Sequence, residues 1–592
     1  MAFKKVHDYK VSDSVRIFTQ NNFKSGIQYG SVGFGSGRAL QFMENFILKD
    51  GIPVSSPGVR RAEQTKRGVC KASSVFNGRL FMQLGVSLYS WAYLGEEKPK
   101  NHGRISEAPV TMFPFGGKLY ILSPEGYFSY ETELSEVEPY VPVVAVDRSA
   151  DGSTTSVYES FNMIGGGFEV WFNFSGDGTY KLPLKGLKEE FSVTLSGSDI
   201  KDKCVFDADE GTVTVSGFTA ESEGINNLRV KAFRKDEDVA ESRSKILGCK
   251  YFAAFGGTDG LGTRLFLAGN ESCPNICFRS GLLDPTYFPD TEYEIIGHSG
   301  DRITGLLKQY NELIVFCENS IHAQSYVYTD SNVIFSRRTV NSSIGCDIPE
   351  SIRLIDNNAV FCSSKKGVFM LSSAVSENEN NVIPISANVN EGSSGLIVQI
   401  RLSGKKVFSI DYGGKYYLFV AGKAYVWDYS EVPYITEFGT VKAQRKLCWY
   451  MLNGLNVNFP VEFYGYVFFF SDQGQIDVYG DTDSNYGAES FRTLTTAPSG
   501  LGLPRIEKKL QSVTLSYRCK NSVDINIYFY CDGKAGDDYS FSARIRHDDP
   551  LMGSFHCTAF PVSLPSAHSF NIKLEVSGGS FELNSIDYEY TV

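Results

Sequence analysis

Short apolar runs rich in aromatic residues recur along this chain, each launched by a polar turn, broken at a second turn and followed by another extended run. Seven stand out: NGRLFMQL at Asn77, GGKLYIL at Gly116, TRLFLAGN at Thr263, NELIVFCE at Asn311, NNAVFCSS at Asn357, GGKYYLF at Gly413 and YGYVFFFS at Tyr464. Successive starts lie about 40 to 56 residues apart, except for one interval of roughly 150 between the second and third. Several strands per unit at this period predict the blades of a β-propeller, and the long interval predicts an insertion of about 100 residues. Seven blades are expected. Six or eight stay open, because a blade can be split between the chain ends.

The texture of the patterning divides the chain further. Residues 1–70 form an N-terminal region expected to feed the first blade, in which the stretch from Ala39 can begin as a helical turn or a strand before turning at Asp50-Gly51. Residues 71–142 hold the first part of the propeller. Over residues 143–245, segments such as FEVWFNFS, EFSVTLSG and NLRVKAF alternate apolar and polar positions, which predicts half-buried antiparallel strands and an inserted β-sandwich. Its charged end, residues 234–245, is expected to lead back to the ring. The propeller resumes over 246–490, and residues 491–592 read as a C-terminal β-sandwich or jelly-roll-like domain of six or so strands.

Composition agrees with an all-β fold. Aromatic residues make up 14% of the chain and favour pleated surfaces, while 57 glycines serve frequent tight turns. A net charge of -11 argues against a sequence-independent clamp on nucleic acid, which needs a basic surface to displace counterions. The opening MAFKKVHDYKVSDSV lacks the apolar core of a signal peptide, and no run of eighteen apolar residues occurs, so synthesis in the cytosol and no membrane segment are expected.

Candidate chemistry is sparse. Twelve cysteines are scattered singly through expected strands, among them Cys317, Cys362, Cys448 and Cys519, and read as reduced core residues. Cys273 and Cys277 have the spacing of half a metal site without a second pair to complete it, so no metal and no cofactor are expected. Nucleophile-elbow, zincin, Walker and EF-hand motifs are missing. His298 and His322 read as surface or strand-edge residues, and the glycine-rich GSVGFGSG at Gly30 lacks dinucleotide-binding spacing. SGDGTY at Ser175 faintly resembles the turn of sialidase blades but occurs once, where a hairpin turn explains it. The expectation is a protein that is not an enzyme; a carbohydrate-binding or glycan-cleaving propeller is the alternative.

The most specific stretch spans residues 263–323. Arg264 and Phe266 lead to Gly269-Asn270, then Ser280, then Asp284, Pro285, Tyr287, Phe288 and Pro289, then Ile303 and Leu306, and then Val315-Phe316 before Ser320-Ile321. In that order these residues resemble the tail nozzle proteins of short-tailed bacteriophages, also called phage stabilisation proteins or tail tubular protein B. Many members of that family carry Lys after the Val-Phe pair, where this chain has Cys317. Weaker likeness extends over residues 40 to 480, and the final SIDYEYTV resembles the ends of such proteins.

The resemblance implies a structural virion protein of the tail, made in the host cytoplasm. It implies a homo-oligomer, a hexamer, below a head-to-tail adaptor protein, with tail fibres or spikes as further partners. Genomic double-stranded DNA would pass through transiently and without sequence preference during ejection. Read without the family, Asp284-Pro285 sets a turn, Tyr287-Phe288 supplies aromatic area to plug between blades, and Pro289 stops the strand.

Overall fold

In a computed structural model, the described residues are 14–27, 40–96, 98–218, 223–257, 262–329, 332–372, 381–430, 447–480, 482, 491–532, 540–549 and 555–592. The glycine-rich GSVGFGSG lies outside them.

Among the described residues, seven four-stranded antiparallel units follow one another. The first is Cys70–Phe76, Arg79–Leu84, Ser87–Trp91 and Lys100–Arg104; the second runs from Thr111–Phe115 through Lys118–Ser123 and Gly126–Tyr130 to Leu134–Glu136. The third to fifth begin at Tyr251–Phe255, Ile303–Gln309 and Ile348–Ile355. The sixth comprises Val407–Tyr412, Lys415–Val420, Lys423–Asp428 and Trp449–Asn453, and the seventh begins at Val461–Phe463. The first strands of successive units lie side by side, and the series closes where Val461–Phe463 meets Cys70–Phe76. This is a closed seven-bladed β-propeller.

Each apolar run recognised in the sequence is the second strand of a blade, the one most enclosed by its neighbours. Leu80 to Leu84, Leu313 to Cys317 and Tyr416 to Val420 are buried at every position. Two of these strands are launched by tight turns in which both central residues take positive φ: 46° and 67° at Asn77-Gly78, and 58° and 73° at Gly413-Gly414. That geometry matches the twist of the flanking strands and selects Asn and Gly.

The seventh blade takes its outermost strand from the other end of the chain. Val59–Glu63 pairs antiparallel with Ile476–Tyr479, so the split blade anticipated above is a real seam. The rest of the N-terminal region does not lead into the first blade. Arg16–Gln20 pairs with the C-terminal strand Phe570–Thr591, Leu40–Glu44 bridges Trp449–Asn453 and Arg492–Thr496, and the hairpin Phe46–Lys49 with Ile52–Ser55 reaches Glu582. The segment after Ala39 is extended, not helical: Leu40–Glu44 and Phe46–Lys49 are strands held by partners from distant parts of the chain, and Leu40, Met43 and Phe46 enter a sheet core.

The insertion lies between the second and third blades. Strands Val143–Arg148, Gly167–Phe174, Leu187–Leu195 and Gly224–Arg234, with two short ones, form a six-stranded sheet facing a three-stranded sheet of Gly178–Lys181, Cys204–Asp207 and Thr212–Val215. Phe168, Val170 and Phe172 from the first and Tyr180, Val213 and Val215 from the second share one core. The charged end is an α-helix, Asp236–Leu247, with Asp236, Glu237 and Asp238 in its first turn and Lys245 in its last, a distribution that suits the helix dipole.

The C-terminal domain has fewer and longer strands than the sequence pattern implies. Lys509–Cys531 and Phe570–Thr591 are single strands of 23 and 22 residues, paired along their length through register shifts. The expected breaks are bends instead. At Gly578-Gly579 the chain passes so close to the facing strand that a Cβ on Gly579 would sit 1.9 Å from the Lys520 carbonyl oxygen. The bent ribbon folds its apolar faces together, with Phe529 and Phe560 from opposite halves 6.2 Å apart. Through Arg492–Thr496 and Leu40–Glu44 this sheet is continuous with the sixth blade, and the two share one hydrophobic core.

Candidate functional site: the clasp between blade and insert

The loop joining Ile276–Arg279 to Tyr293–Ile295 in the third blade carries Ser280, Asp284, Pro285, Tyr287, Phe288 and Pro289. It grips the neck of the inserted sandwich. Asp284 accepts hydrogen bonds from the Thr286 amide at 2.8 Å and its hydroxyl at 2.7 Å, which fixes the turn before Pro285. The Pro285 carbonyl accepts from the Tyr127 hydroxyl at 3.0 Å, tying the loop to the second blade. Tyr287 donates to the Ser160 carbonyl at 2.8 Å and lies 5.0 Å from the Tyr140 ring.

At the centre is Asn162, fully buried and satisfied on every arm of its amide. Its Nδ2 donates to the carbonyls of Tyr140 and Thr286, both at 2.9 Å, and its Oδ1 accepts from the amides of Phe288 at 3.0 Å and Ile164 at 3.2 Å. The backbone continues the grip: Met163 donates to the Phe288 carbonyl and Asp290 to the Phe161 carbonyl. A buried amide with all its bonds made specifies one docking geometry, because any shift strands a donor or acceptor away from water.

The far side of the neck is held by cations. Arg234 donates to the carbonyls of Asn162 at 2.6 Å and Gly165 at 2.8 Å, and Arg243, on the helix, donates to the Ile164 carbonyl at 2.7 Å. Burial lowers the pKa of Arg234 and raises that of Asp290, with each partly offsetting the other's shift. Burial, then the neighbouring Glu159 carboxylate, push the Tyr140 phenol up to about 12.

The remaining motif residues serve the same junction or the packing of blades. Ser280 accepts from the Leu265 amide at 2.9 Å, and Arg264 donates to the Ser280 carbonyl at 2.8 Å. Asn270 donates to the carbonyls of Ser244 and Lys245 at 2.9 and 2.8 Å, closing the end of the Asp236–Leu247 helix. Gly269 has a φ of 85°, and a Cβ there would strike the Tyr251 ring at 2.4 Å. Phe266 packs edge-on to Phe335 of the fourth blade, and Phe316 lies 5.1 Å from Phe361 of the fifth, with Val315 buried beside it. Only part of the motif therefore acts as an interblade plug; its loop is an anchor.

His322 corrects the expectation of a surface or strand-edge residue: it is buried, with its Nε2 2.9 Å from the Ser320 hydroxyl. Ser320 in turn lies 2.5 Å from Asp301, which also accepts from the Asn319 amide. The three residue types match a nucleophilic triad, but the order does not. The hydroxyl sits between carboxylate and imidazole and donates to the carboxylate, so the imidazole is not placed to withdraw its proton. Burial first, then Arg337, hold the His322 pKa below its usual value. This network locks the turn before Ile321.

SGDGTY is a structural turn as well. The Tyr180 hydroxyl donates to the Gly176 carbonyl at 2.7 Å, and Asp177 accepts from the amides of Gly217 and Phe218. Cys273 and Cys277 diverge: Cys273 joins the core beside the second blade and Cys277 the core toward the fourth. Cys317, Cys362, Cys448 and Cys519 are buried in strands or beside them. Asn162, Arg234 and Arg243 carry no motif signal, since their partners are backbone groups, most of them from distant segments.

No family model and no curated protein sequence matches the chain. Among solved structures it is similar to the AfRom2 CNH domain at 9% identity, over 71% of this chain and 98% of that one, with a TM-score of 0.33. It is similar to Kluyveromyces lactis Hsv2 at 8% identity, over 81% and 99%, with a TM-score of 0.28. An extracellular domain from B. thetaiotaomicron, BT4673, aligns at 10% identity over 94% and 99%, with a TM-score of 0.19. These scores are low, and the architecture rests on the strand pairing itself. Among the described residues no helix is long and apolar enough to cross a membrane.

Proposed function

We propose that this chain is a structural subunit of a short-tailed bacteriophage tail, six copies of which form a nozzle ring below the head-to-tail adaptor and line the path by which genomic DNA leaves. The observation that carries this reading is the ordered set from Arg264 to Ile321 in the sequence, with its Asp-Pro-x-Tyr-Phe-Pro core. What this chain does with that core supports it: the loop fastens an inserted domain rigidly to a closed ring. A closed propeller leaves only short, protected strand edges and resists deformation, which suits a wall under internal pressure.

The role is passive. Six copies at -11 each would carry roughly -66, and acidic walls repel phosphates, so DNA slides without adhering, an effect that salt weakens. A ring of identical subunits needs two different complementary patches on each. The inserted and C-terminal domains are the natural suppliers, because the propeller offers little free edge.

The native mass of the purified chain tests the reading. A particle about six times the 65.6 kDa subunit is expected. A monomer that binds or hydrolyses glycans would replace it with the carbohydrate reading.

A further inference from the structure

Cys519, His547 and His556 come from three different strands and meet at one point of the C-terminal domain. Their ligand atoms, one thiol sulfur and two imidazole nitrogens, all lie within 4.8 Å of one another. The two imidazole rings are 3.8 Å apart between centroids. Cys519 is buried and the two histidines are half-buried, so the group is enclosed on the sulfur side and open on the imidazole side.

The bend in the long ribbon brings them together. Cys519 lies in Lys509–Cys531 just before the register shift between Lys520 and Val523. On one side of the shift Val523 pairs with His547 of Ser540–Asp549; on the other, Tyr517 pairs with His556 of His556–Pro561. Both outer strands bond to the central strand and neither bonds to the other. The triad therefore sits where the sheet edge changes from one strand to the next and the ladder provides no link.

We infer that Cys519, His547 and His556 form a binding site for a zinc ion, which staples the two outer strands together at the bend. One soft thiolate and two imidazoles suit zinc and exclude calcium or magnesium, which require oxygen donors. Tetrahedral bonds of 2.0 to 2.3 Å place ligand atoms about 3.5 Å apart, so a contraction of roughly 1 Å closes the site. The fourth position faces the half-buried side and is filled by water. The Tyr517 ring lies 6.2 Å from His547 and 5.6 Å from His556, walling the site. Binding deprotonates the thiol, so one proton leaves for each ion taken up and affinity falls as pH falls.

The test uses the full-length chain, freed of metal and titrated with zinc and with cobalt(II). Expected are one ion per chain by elemental analysis, a thiolate-to-cobalt charge-transfer band, the intense visible bands of a tetrahedral centre, and a melting temperature that rises with zinc. Cys519→Ser should abolish the charge-transfer band. His547→Ala or His556→Ala should weaken binding by more than the about 10- to 100-fold typical of losing a supporting residue. Cys557→Ser, at an exposed neighbouring thiol, should change nothing. A wild-type chain that takes up no ion, or cobalt bound without the charge-transfer band, would overturn the site even if the variants fail to fold, and so would a Cys519→Ser chain that binds as tightly as wild type.

Discussion

The side chain of Asn162 holds the backbone of Phe288: its Oδ1 accepts the Phe288 amide at 3.0 Å, while its Nδ2 reaches the Thr286 carbonyl two residues earlier at 2.9 Å. One amide thus joins the neck of an inserted domain to a propeller loop that lies 126 residues further along the chain. Asn162→Ala leaves the Tyr140 carbonyl and the Phe288 and Ile164 amides without this partner, while the Thr286 carbonyl keeps the Tyr140 amide, and should cost about 3 kcal/mol. Asn162→Asp keeps the shape but points a carboxylate at the Tyr140 and Thr286 carbonyls, and should be at least as damaging. Thermal melting with limited proteolysis of the neck checks both; an Asp variant as stable as wild type would contradict the clasp.

The seam of the seventh blade gives a second prediction. Arg61 forms an ion pair with Asp477, whose side chain is almost wholly buried, and also bonds Gln475. Arg61→Ala removes the ion pair from that carboxylate and should cost about 3 kcal/mol, whereas replacing the exposed Lys185, paired with Glu210, should change stability far less. Deleting residues 1–63 removes the outermost strand and bares the edge of Ile476–Tyr479, so aggregation is expected in size-exclusion chromatography.

Asp347, in the connection between the fourth and fifth blades, predicts a pH dependence. Burial raises its pKa, but bonds from Lys405 at 2.6 Å and from the Ser364 amide and hydroxyl at 2.7 and 2.5 Å outweigh that and leave it lowered. A lowered folded-state pKa adds stability above the unfolded value near about 4 and loses it as pH falls through the folded value. Asp347→Asn should therefore cost about 1 to 3 kcal/mol at neutral pH, with the difference from wild type vanishing in acid. Parallel stability curves down to the acid transition would show that Asp347 contributes nothing through its charge.

The bend of the C-terminal ribbon depends on two glycines. Gly578 has a φ of 91°, a Cβ there would sit 2.3 Å from the Ser522 carbonyl oxygen, and the neighbouring Gly579 carbonyl accepts from buried Arg492 at 2.8 Å. Gly578→Ala should be clearly more damaging than Gly117→Ala, whose φ of 82° also disfavours a side chain but whose Cβ would meet open space. Denaturant titration of both variants measures the difference.

The propeller was legible because its signal repeats: seven enclosed second strands recur along the chain as short apolar runs. The insertion showed as a gap in the repeat and a change to period-two alternation. The course of the strands Arg16–Gln20, Leu40–Glu44, Phe46–Lys49 and Ile52–Ser55 was not legible, because strands such as Leu40–Glu44 owe their place to partners more than 400 residues away, and nothing local names those partners. The pattern suggests six or so C-terminal strands because residues of turn type, such as Asn521 and Gly578, interrupt the two long ones; in the fold they bend a continuous ladder. The clasp was half legible. Its loop carries the family-like motif, whereas Asn162 is one amide among many until the fold sets it against Phe288. His322 misled because a histidine's burial depends on the turn that Asp301 and Ser320 build around it.

Electron microscopy of the purified protein decides whether this chain walls a conduit. A six-fold ring with an open axis, built from seven-bladed subunits, is expected. A monodisperse monomer, or an assembly closed across its axis, would contradict it.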